Sequence, residues 1–320
     1  MTIRRSSRLG LQDVADVVAL AAAAGDADGV MPLSEHVMLH LRYGGDDPAV
    51  HLLARCHPAS APAAGDAAAR GMLIGYGHVD TTDVVEGASA ELVVHPMLRR
   101  RGIGRALVTA ATAAAAEADP AARLRLWAHG DHPSASALAM TLGFEHSRVL
   151  LQMRRSLLTP VDAPVLPDGV EIRPFRPGVD DEAWLAVNAR AFAALPDQGG
   201  WTLADLRVRM KEAWFDPDGF LLAWRGDQLL GFHWTKVHGG DSDDHDPIGE
   251  VYVLGIDPDA NGMGLGTALT ATGLRYLRER GLGQVMLYVD ETNTRAVGLY
   301  QRHGFVRWTT DVCFSSTATR

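Results

Sequence analysis

Two short stretches constrain this chain more than any other: "RRGIGRAL" (residues 100–107) and "NGMGLGTAL" (261–269). Each sets glycines at alternate positions between an apolar, strand-like run and a helix-like run. Gly102 precedes Gly264 by 162 residues, and Gly104/Gly266, Ala106/Ala268 and Leu107/Leu269 keep that separation. Upstream, "VVHP" meets "GIDP" at the same offset, and downstream "LGF" (142–144) meets "HGF" (303–305) at 161. One residue of drift means that the same unit occurs twice. A repeat this long is a duplicated domain and not a solenoid, and 320 residues suit two domains of ordinary size.

The boundary falls in "TPVDAPVLPDGV" (159–170), where Pro160, Pro164 and Pro167 disfavour helix and remove backbone donors. The expected division is an N-terminal domain over 1–158, a Pro-rich linker over 159–169 and a C-terminal domain over 170–320. In each half a helix precedes a hairpin. "VHLLARC" and "MLIGYGHVD" form the first hairpin, around an Ala/Pro/Gly loop that need not be ordered. "GFLLAW" and "QLLGFHWTKVH", joined at "RGD", form the second. A fourth strand follows ("AELVVHP", "VYVLGIDP"), then the glycine loop and its helix, a fifth strand ("RLRLWAH", "QVMLYVD") and a short helix before each "GF". The fold class is mixed α/β, with strands alternating with helices after an antiparallel start.

Backbone amides at a helix N-terminus carry partial positive charge, and glycine lets an anion approach them closely. Both loops therefore suit phosphate. No lysine follows either loop, so neither is a P-loop, and neither has the third glycine of a dinucleotide-binding turn. A net charge of −9 argues against nucleic acid as a partner. No apolar run approaches the roughly 18 residues of a membrane helix, and Asp13 and Asp16 interrupt the only N-terminal candidate for a signal segment. A cytoplasmic, monomeric protein without membrane partners is expected. Cys56 and Cys313 make no disulfide framework, and thirteen histidines fall in no metal-ligand spacing, so no metal is expected. "HGGDSDDHD" (238–246) reads as a solvated acidic loop.

Strand, "HPMLRRRGIGRAL" or "DPDANGMGLGTAL", helix, strand and "NTRAVGLYQRHGF" together resemble the acetyl-CoA motif of the GNAT N-acetyltransferases. Their loop is [RQ]-x-x-G-x-[GA]. Arg99 to Gly104 matches it, whereas the second copy has Asn261 where the family has Arg or Gln. The resemblance covers nearly the whole chain and implies two tandem GNAT domains, each a mainly antiparallel central sheet flanked by helices. It implies acetyl-CoA as donor. Pyrophosphate would lie on Arg100, Arg101, Gly102, Ile103, Gly104 and Arg105 in one copy, and on Asn261, Gly262, Met263, Gly264, Leu265, Gly266 and Thr267 in the other. Strand amides at Leu92, Val93 and Val94, and at Leu254, Gly255 and Ile256, would take the pantetheine arm. Asn293, Thr294, Arg295, Ala296, Val297 and Gly298 would close over it.

"LPDQGGW", "EAWFDPDG", "LLGFHWTKVH" and "GEVYVLGIDP" narrow the resemblance to tandem GNATs that acetylate the cysteine amine of cysteinyl-glucosaminyl-inositol. That likeness implies Glu250 as general base and Tyr300 as the acid that protonates the CoA sulfur. It implies Glu35, Asp197, Lys236, Glu250 and Tyr288 around a sugar-inositol acceptor, with Glu35 coming from the other half of the chain. An acetyltransferase for another small amine or a protein N-terminus, and a non-catalytic acyl-CoA sensor, remain open alternatives. In the N-terminal copy, offset 162 puts Ala88 at the Glu250 position and offset 161 puts Ala139 at the Tyr300 position. Glu91, by strand alternation from Ala88, is expected on the opposite face. The N-terminal domain is therefore expected to bind acetyl-CoA without doing chemistry.

Overall fold

The computed structural model describes residues 1–43, 49–56, 71–83, 87–119, 121–239 and 247–316. Contacts divide the chain into two units, Met1–Val149 with Thr310–Arg320, and Leu150–Thr309. The first contains β1 (Thr2–Ser6), α1 (Leu11–Asp28), α2 (Glu35–Tyr43), β2 (Ala49–Cys56), β3 (Met72–Asp80), β4 (Ala88–Val94), α3 (Ile103–Ala118), β5 (Leu124–Ala128) and α4 (Pro133–Thr141). Strand β6 (Phe144–Ser156) begins in this unit and ends in the other. The second contains β7 (Glu171–Pro174), α5 (Asp181–Ala191), α6 (Pro196–Gly199), α7 (Leu203–Arg209), β8 (Phe220–Arg225), β9 (Gln228–His238), β10 (Ile248–Ile256), α8 (Leu265–Glu279), β11 (Gln284–Asp290) and α9 (Thr294–Arg302). Strand β12 (Val306–Ser316) begins there and ends in the first unit. No described helix is long and apolar enough to cross a membrane.

In unit 1, β1 to β4 pair antiparallel in order and β4 pairs β5 in parallel. Unit 2 repeats the plan, with β7 to β10 antiparallel and β10 parallel to β11. Both expected hairpins are present, and the turn between β8 and β9 uses Gly226 at φ 57°. The 57–70 loop and residues 240–246 of the acidic stretch lie outside the described residues.

The last strand of each sheet corrects the sequential division at 159. Within unit 1, β5 pairs with Ser315 to Val312 at the end of the chain. Within unit 2, β11 pairs with Leu150 to Ser156, which precede the Pro-rich segment. Sequence composition marks the linker, but strand pairing assigns the residues beside it.

Helices cover both faces of each sheet. In unit 1, Leu107, Val108, Ala111 and Ala115 of α3 recur at helical spacing and bury against Leu52, Ala90 and Leu126. Val17, Leu20, Ala21 and Ala24 of α1 cover the other face at Leu53, Tyr76 and Val93. In unit 2, Leu265 and Leu269 of α8 face Leu221, Ala223 and Leu230. The opposite face is aromatic. Trp184 and Trp234 are fully buried, and Phe220 stacks on Trp234 at 4.3 Å.

A charged cluster in unit 1 links the chain's end to its middle. His129 Nδ1 lies 2.9 Å from Asp311 Oδ2, and its Nε2 lies 3.5 Å from Glu91 Oε2. The Ser34 amide donates to Glu91 at 2.6 Å. Burial alone would lower the His129 pKa, but the bonds to Asp311 and Glu91 override it and raise the value to about 10. A raised imidazole pKa contributes stability below the unfolded value, and that contribution is lost as pH rises through the folded one. Thermal stability of unit 1 is therefore expected to fall between about pH 6.5 and pH 10. Asp311→Asn should lower the melting temperature near neutrality and flatten that decline. An unchanged pH slope in a set of calorimetric melts would remove the charged imidazole from the account.

Candidate active site

Both glycine loops build the same backbone. Gly102 and Gly264 cap α3 and α8 at φ 81° and 80°, with no side-chain cap bond at either end. A Cβ at either glycine would meet nothing within 4 Å, so the left-handed conformation and not crowding requires glycine there. The first intrahelical bonds at these caps run from Ala106 to Gly102 and from Ala268 to Gly264. The amides of the first turn beyond each cap therefore face outward without an intrahelical acceptor. Two residues before each cap the chain again turns left-handed, at Gly262 (φ 84°) and at Arg100 (φ 64°). A non-glycine residue there costs about 1–2 kcal/mol, so the first copy holds this turn under strain that the second avoids.

The arginine cluster of the first loop is partly committed to structure. Arg99 donates to both carboxylate oxygens of Asp28, at 2.7 and 2.6 Å, and to the Val94 carbonyl. It pins the turn to α1, which leaves Arg100, Arg101 and Arg105 as its other cations.

The strand before each loop parts from its parallel neighbour partway along. The β10–β11 ladder ends at Val251/Leu287, while β10 stays paired with β9 through Ile256. Leu254, Gly255 and Ile256 thus have a ladder partner on one side only. In unit 1 the β4–β5 ladder ends at Glu91/Trp127, leaving Leu92, Val93 and Val94 in the same state.

Glu250 sits just before the splay. It pairs with Lys236 across β9 and with Met286 across β11. Cross-strand partners share a face, and so do residues two apart on one strand. One face of unit 2 therefore gathers Lys236 and His238 from β9, Glu250 from β10, and Met286 and Tyr288 from β11. Gln152 and Arg154 of β6 extend the row, opposite Tyr288 and Met286. Glu250 is 7% exposed and His238 Nε2 lies 2.6 Å from its Oε2. Burial would raise the carboxyl pKa, but the His238 bond and the His238 and Lys236 charges hold it below its ordinary value.

Lys236 is no surface lysine. It is buried, and its Nζ lies 4.7 Å from the centre of the Trp214 ring and 5.2 Å from that of Tyr252. Tyr288 is 40% exposed and accepts a bond from Gln152 Nε2 at 2.7 Å, while Arg154 donates to Gln152 Oε1 at 3.1 Å. Sequence reasoning missed His238, Gln152 and Arg154. His238 was legible in principle, since "KVH" puts it two residues beyond Lys236 on one strand. Gln152 and Arg154 carry no local signal, because β6 reaches β11 only through tertiary pairing.

Tyr300 is the seventh residue of α9, buried against Phe305 at 5.8 Å between ring centres. Burial raises its hydroxyl pKa, so it stays protonated and able to donate. Asn293 caps α9 by accepting from the Ala296 amide, which fixes the turn that carries Thr294 to Gly298. Asp197 falls in α6, with its side chain outside those described. Glu35 opens α2 in unit 1, half-buried.

The alignment of Glu250 with Ala88 is corrected by the ladders. Glu250 is in the second pair of β10–β11, and the second pair of β4–β5 contains Ser89. A β-bulge between Val251 and Val253 gives β10 one extra residue that β4 lacks. Glu91 stands two residues from Ser89 and shares its face. Glu91 therefore lies on the face of the Glu250 counterpart and not, as expected, on the opposite one. Ala139 is the seventh residue of α4 and the counterpart of Tyr300, as expected.

A model of the acetyltransferase (GNAT) family matches residues 187–305, and one of an acetyltransferase (GNAT) domain matches 65–146. A mycothiol acetyltransferase from Acidothermus cellulolyticus is 55% identical over 312 residues, covering 95% of this chain and 91% of that one. The chain belongs to the mycothiol acetyltransferase family. The mycothiol acetyltransferase of Salinispora arenicola, also 55% identical, covers 97% of this chain and 95% of its own length. Among solved structures, a tandem GNAT protein from the clavulanic acid biosynthesis pathway overlays at TM-score 0.71 with 19% identity, covering 100% of this chain and 99% of that one. A GCN5-related N-acetyltransferase from Sphaerobacter thermophilus overlays at 0.65 with 24% identity, covering 98% and 95%. These overlays establish the tandem fold alone. Among the described residues no group of His, Cys, Asp or Glu is arranged to hold a metal ion.

Proposed function

We propose that unit 2 transfers the acetyl group of acetyl-CoA to the cysteine α-amine of cysteinyl-glucosaminyl-inositol, releasing mycothiol and CoA. The carrying observation is a buried carboxylate, Glu250, at the point where β10 parts from β11 and beside Lys236 and Tyr288. An α-amine has a reference pKa of about 7.7–8.0, so one well-placed carboxylate suffices to take its proton. The neutral nitrogen attacks the thioester carbonyl, whose oxygen meets the strand amides freed by the splay. The C–S bond then breaks and Tyr300 supplies the proton to the departing thiolate. The row from Lys236 to Arg154 offers cations, an amide and a phenol to a polyol acceptor. The test is incubation with acetyl-CoA and this acceptor, following CoA thiol above the constant thiol of the acceptor. No release with this acceptor, but release with another amine, would move the reading to a different GNAT substrate.

Unit 1 keeps the cap glycine, the splay and the arginines. At the two chemical positions it has Ser89 and Ala139. We assign it an acetyl-CoA-binding role without turnover. An aspartate in the first turn of a helix is tolerated or stabilising, yet it repels a phosphate there. Gly266→Asp should therefore weaken acetyl-CoA binding by tenfold or more and abolish turnover in a folded protein. Gly104→Asp needs only a small shift of the Leu138 side chain, whose end carbon would lie 3.0 Å from the new Cβ. It should remove one acetyl-CoA from the calorimetric stoichiometry and leave the rate within about twofold. A dead but folded Gly104→Asp enzyme contradicts the silent assignment.

A further inference from the structure

We infer that His238 is a positioning residue for the acetyl transfer: its Nε2–H holds Glu250 Oε2, so that Oε1 is the oxygen left for the acceptor amine. The inference rests on the reading of Glu250 as the base. Three observations carry it. First, the contact is short, 2.6 Å between Nε2 and Oε2. An ionised carboxylate only accepts, so the ring nitrogen in this pair carries the hydrogen. Second, Oε1 has no hydrogen-bond partner among the described residues, although Glu250 is only 7% exposed. That oxygen is therefore free to accept from an incoming amine. Third, His238 is itself a third exposed at its side chain, so it does not fill the core. It stands at the last position of β9, two residues beyond Lys236, where strand alternation brings it back to the Glu250 face.

The neighbours determine what this bond does. From β9, His238 and Lys236 are the charged groups that act on Glu250. From β11 the opposing residue is Met286, which brings no charge, and Tyr288 follows two positions on. From α7, the Arg209 guanidinium is engaged by the Tyr252 hydroxyl at 2.9 Å. Lys236 Nζ lies against the Trp214 and Tyr252 rings, and the hydrogen bond that fixes the orientation of the Glu250 carboxylate comes from His238. With His238 gone, burial dominates and the carboxyl group titrates upward, which leaves less of it ionised to act as a base.

The experiment compares wild type, His238→Ala and His238→Gln. It uses the full chain, with steady-state kinetics and carbon NMR of carboxyl-labelled glutamate, the Glu250 signal being assigned by its loss in Glu250→Gln. His238→Ala should lower kcat by about 10- to 100-fold, the weight of a bond to a charged group. The KM for acetyl-CoA should stay within twofold, and the Glu250 titration should move up by at least one pH unit. His238→Gln retains a donor and should recover most of the rate. A titration that stays in place, or wild-type kcat in His238→Ala, overturns the positioning role. If His238→Ala does not fold, a wild-type Glu250 that titrates at or above the ordinary carboxylate range overturns it instead. The NMR readout needs no acceptor, so an error in the acceptor assignment shows as an inactive wild type with the titration result intact.

Discussion

Glu250→Gln is expected to lower kcat by about 10²- to 10⁴-fold near neutral pH, the usual weight of a general base, while acetyl-CoA binding is unchanged. The amide keeps the shape of the side chain and can still accept from His238, so the buried face should not collapse. Its defect should depend on pH. Below about pH 7.7 the acceptor is mostly ammonium and needs a base. Well above that value it arrives as the free amine, and the variant should recover part of the lost rate. The sign follows from which species binds: raising pH supplies by mass action what the carboxylate supplied by proton transfer. Rate profiles of both proteins from about pH 6.5 to 9.5 decide the matter. A constant ratio across that range would show that Glu250 binds the acceptor without taking its proton.

Tyr300→Phe is expected to have a comparable effect for the opposite reason. Burial keeps the Tyr300 hydroxyl protonated, which suits a group that gives its proton to a thiolate. Phenylalanine keeps the packing on Phe305, so the melting temperature should stay near wild type. The loss, about 10²- to 10⁴-fold in kcat, should therefore occur in a folded protein with unaltered acetyl-CoA affinity. Unlike the Glu250 variant, this one gains nothing from an acceptor already deprotonated, so its defect should persist at high pH. Wild-type turnover in Tyr300→Phe would pass the acid role to another donor. The two profiles together separate the step that starts the reaction from the step that ends it.

Much of this protein was legible in its sequence, because it rests on local rules. Glycines at 102 and 264 mark strand-loop-helix turns, since only glycine takes the left-handed cap cheaply, and those at 104 and 266 keep the first helical turn free of side chains. Two such turns at a fixed offset gave the duplication, and strand and helix periodicity gave the hairpins and the fifth strands, whose parallel pairing the structure supplied. Glu250, Lys236 and Tyr288 were named from motifs, and the ladders bring them onto one face.

Only the tertiary structure decided the rest. A constant offset cannot register a β-bulge, so the extra residue in β10 made Ala88 look like the counterpart of Glu250, whereas the ladders give that position to Ser89, with Glu91 on the same face of β4. The final strand of each sheet is fixed by pairing with residues far along the chain, which no window of sequence contains: Asp311 reaches His129 in unit 1, and Gln152 reaches Tyr288 in unit 2. The bond from His238 to Glu250 is of the same kind. Its two residues are separated by a stretch of polar sequence, and only the antiparallel register of β9 and β10 brings an imidazole onto the carboxylate. Local sequence determined where the turns, helices and strands belong, because those preferences are properties of single residues and short turns. Which side chains touch depended on register and strand order, which are set by the burial of whole faces and by long-range backbone hydrogen bonds.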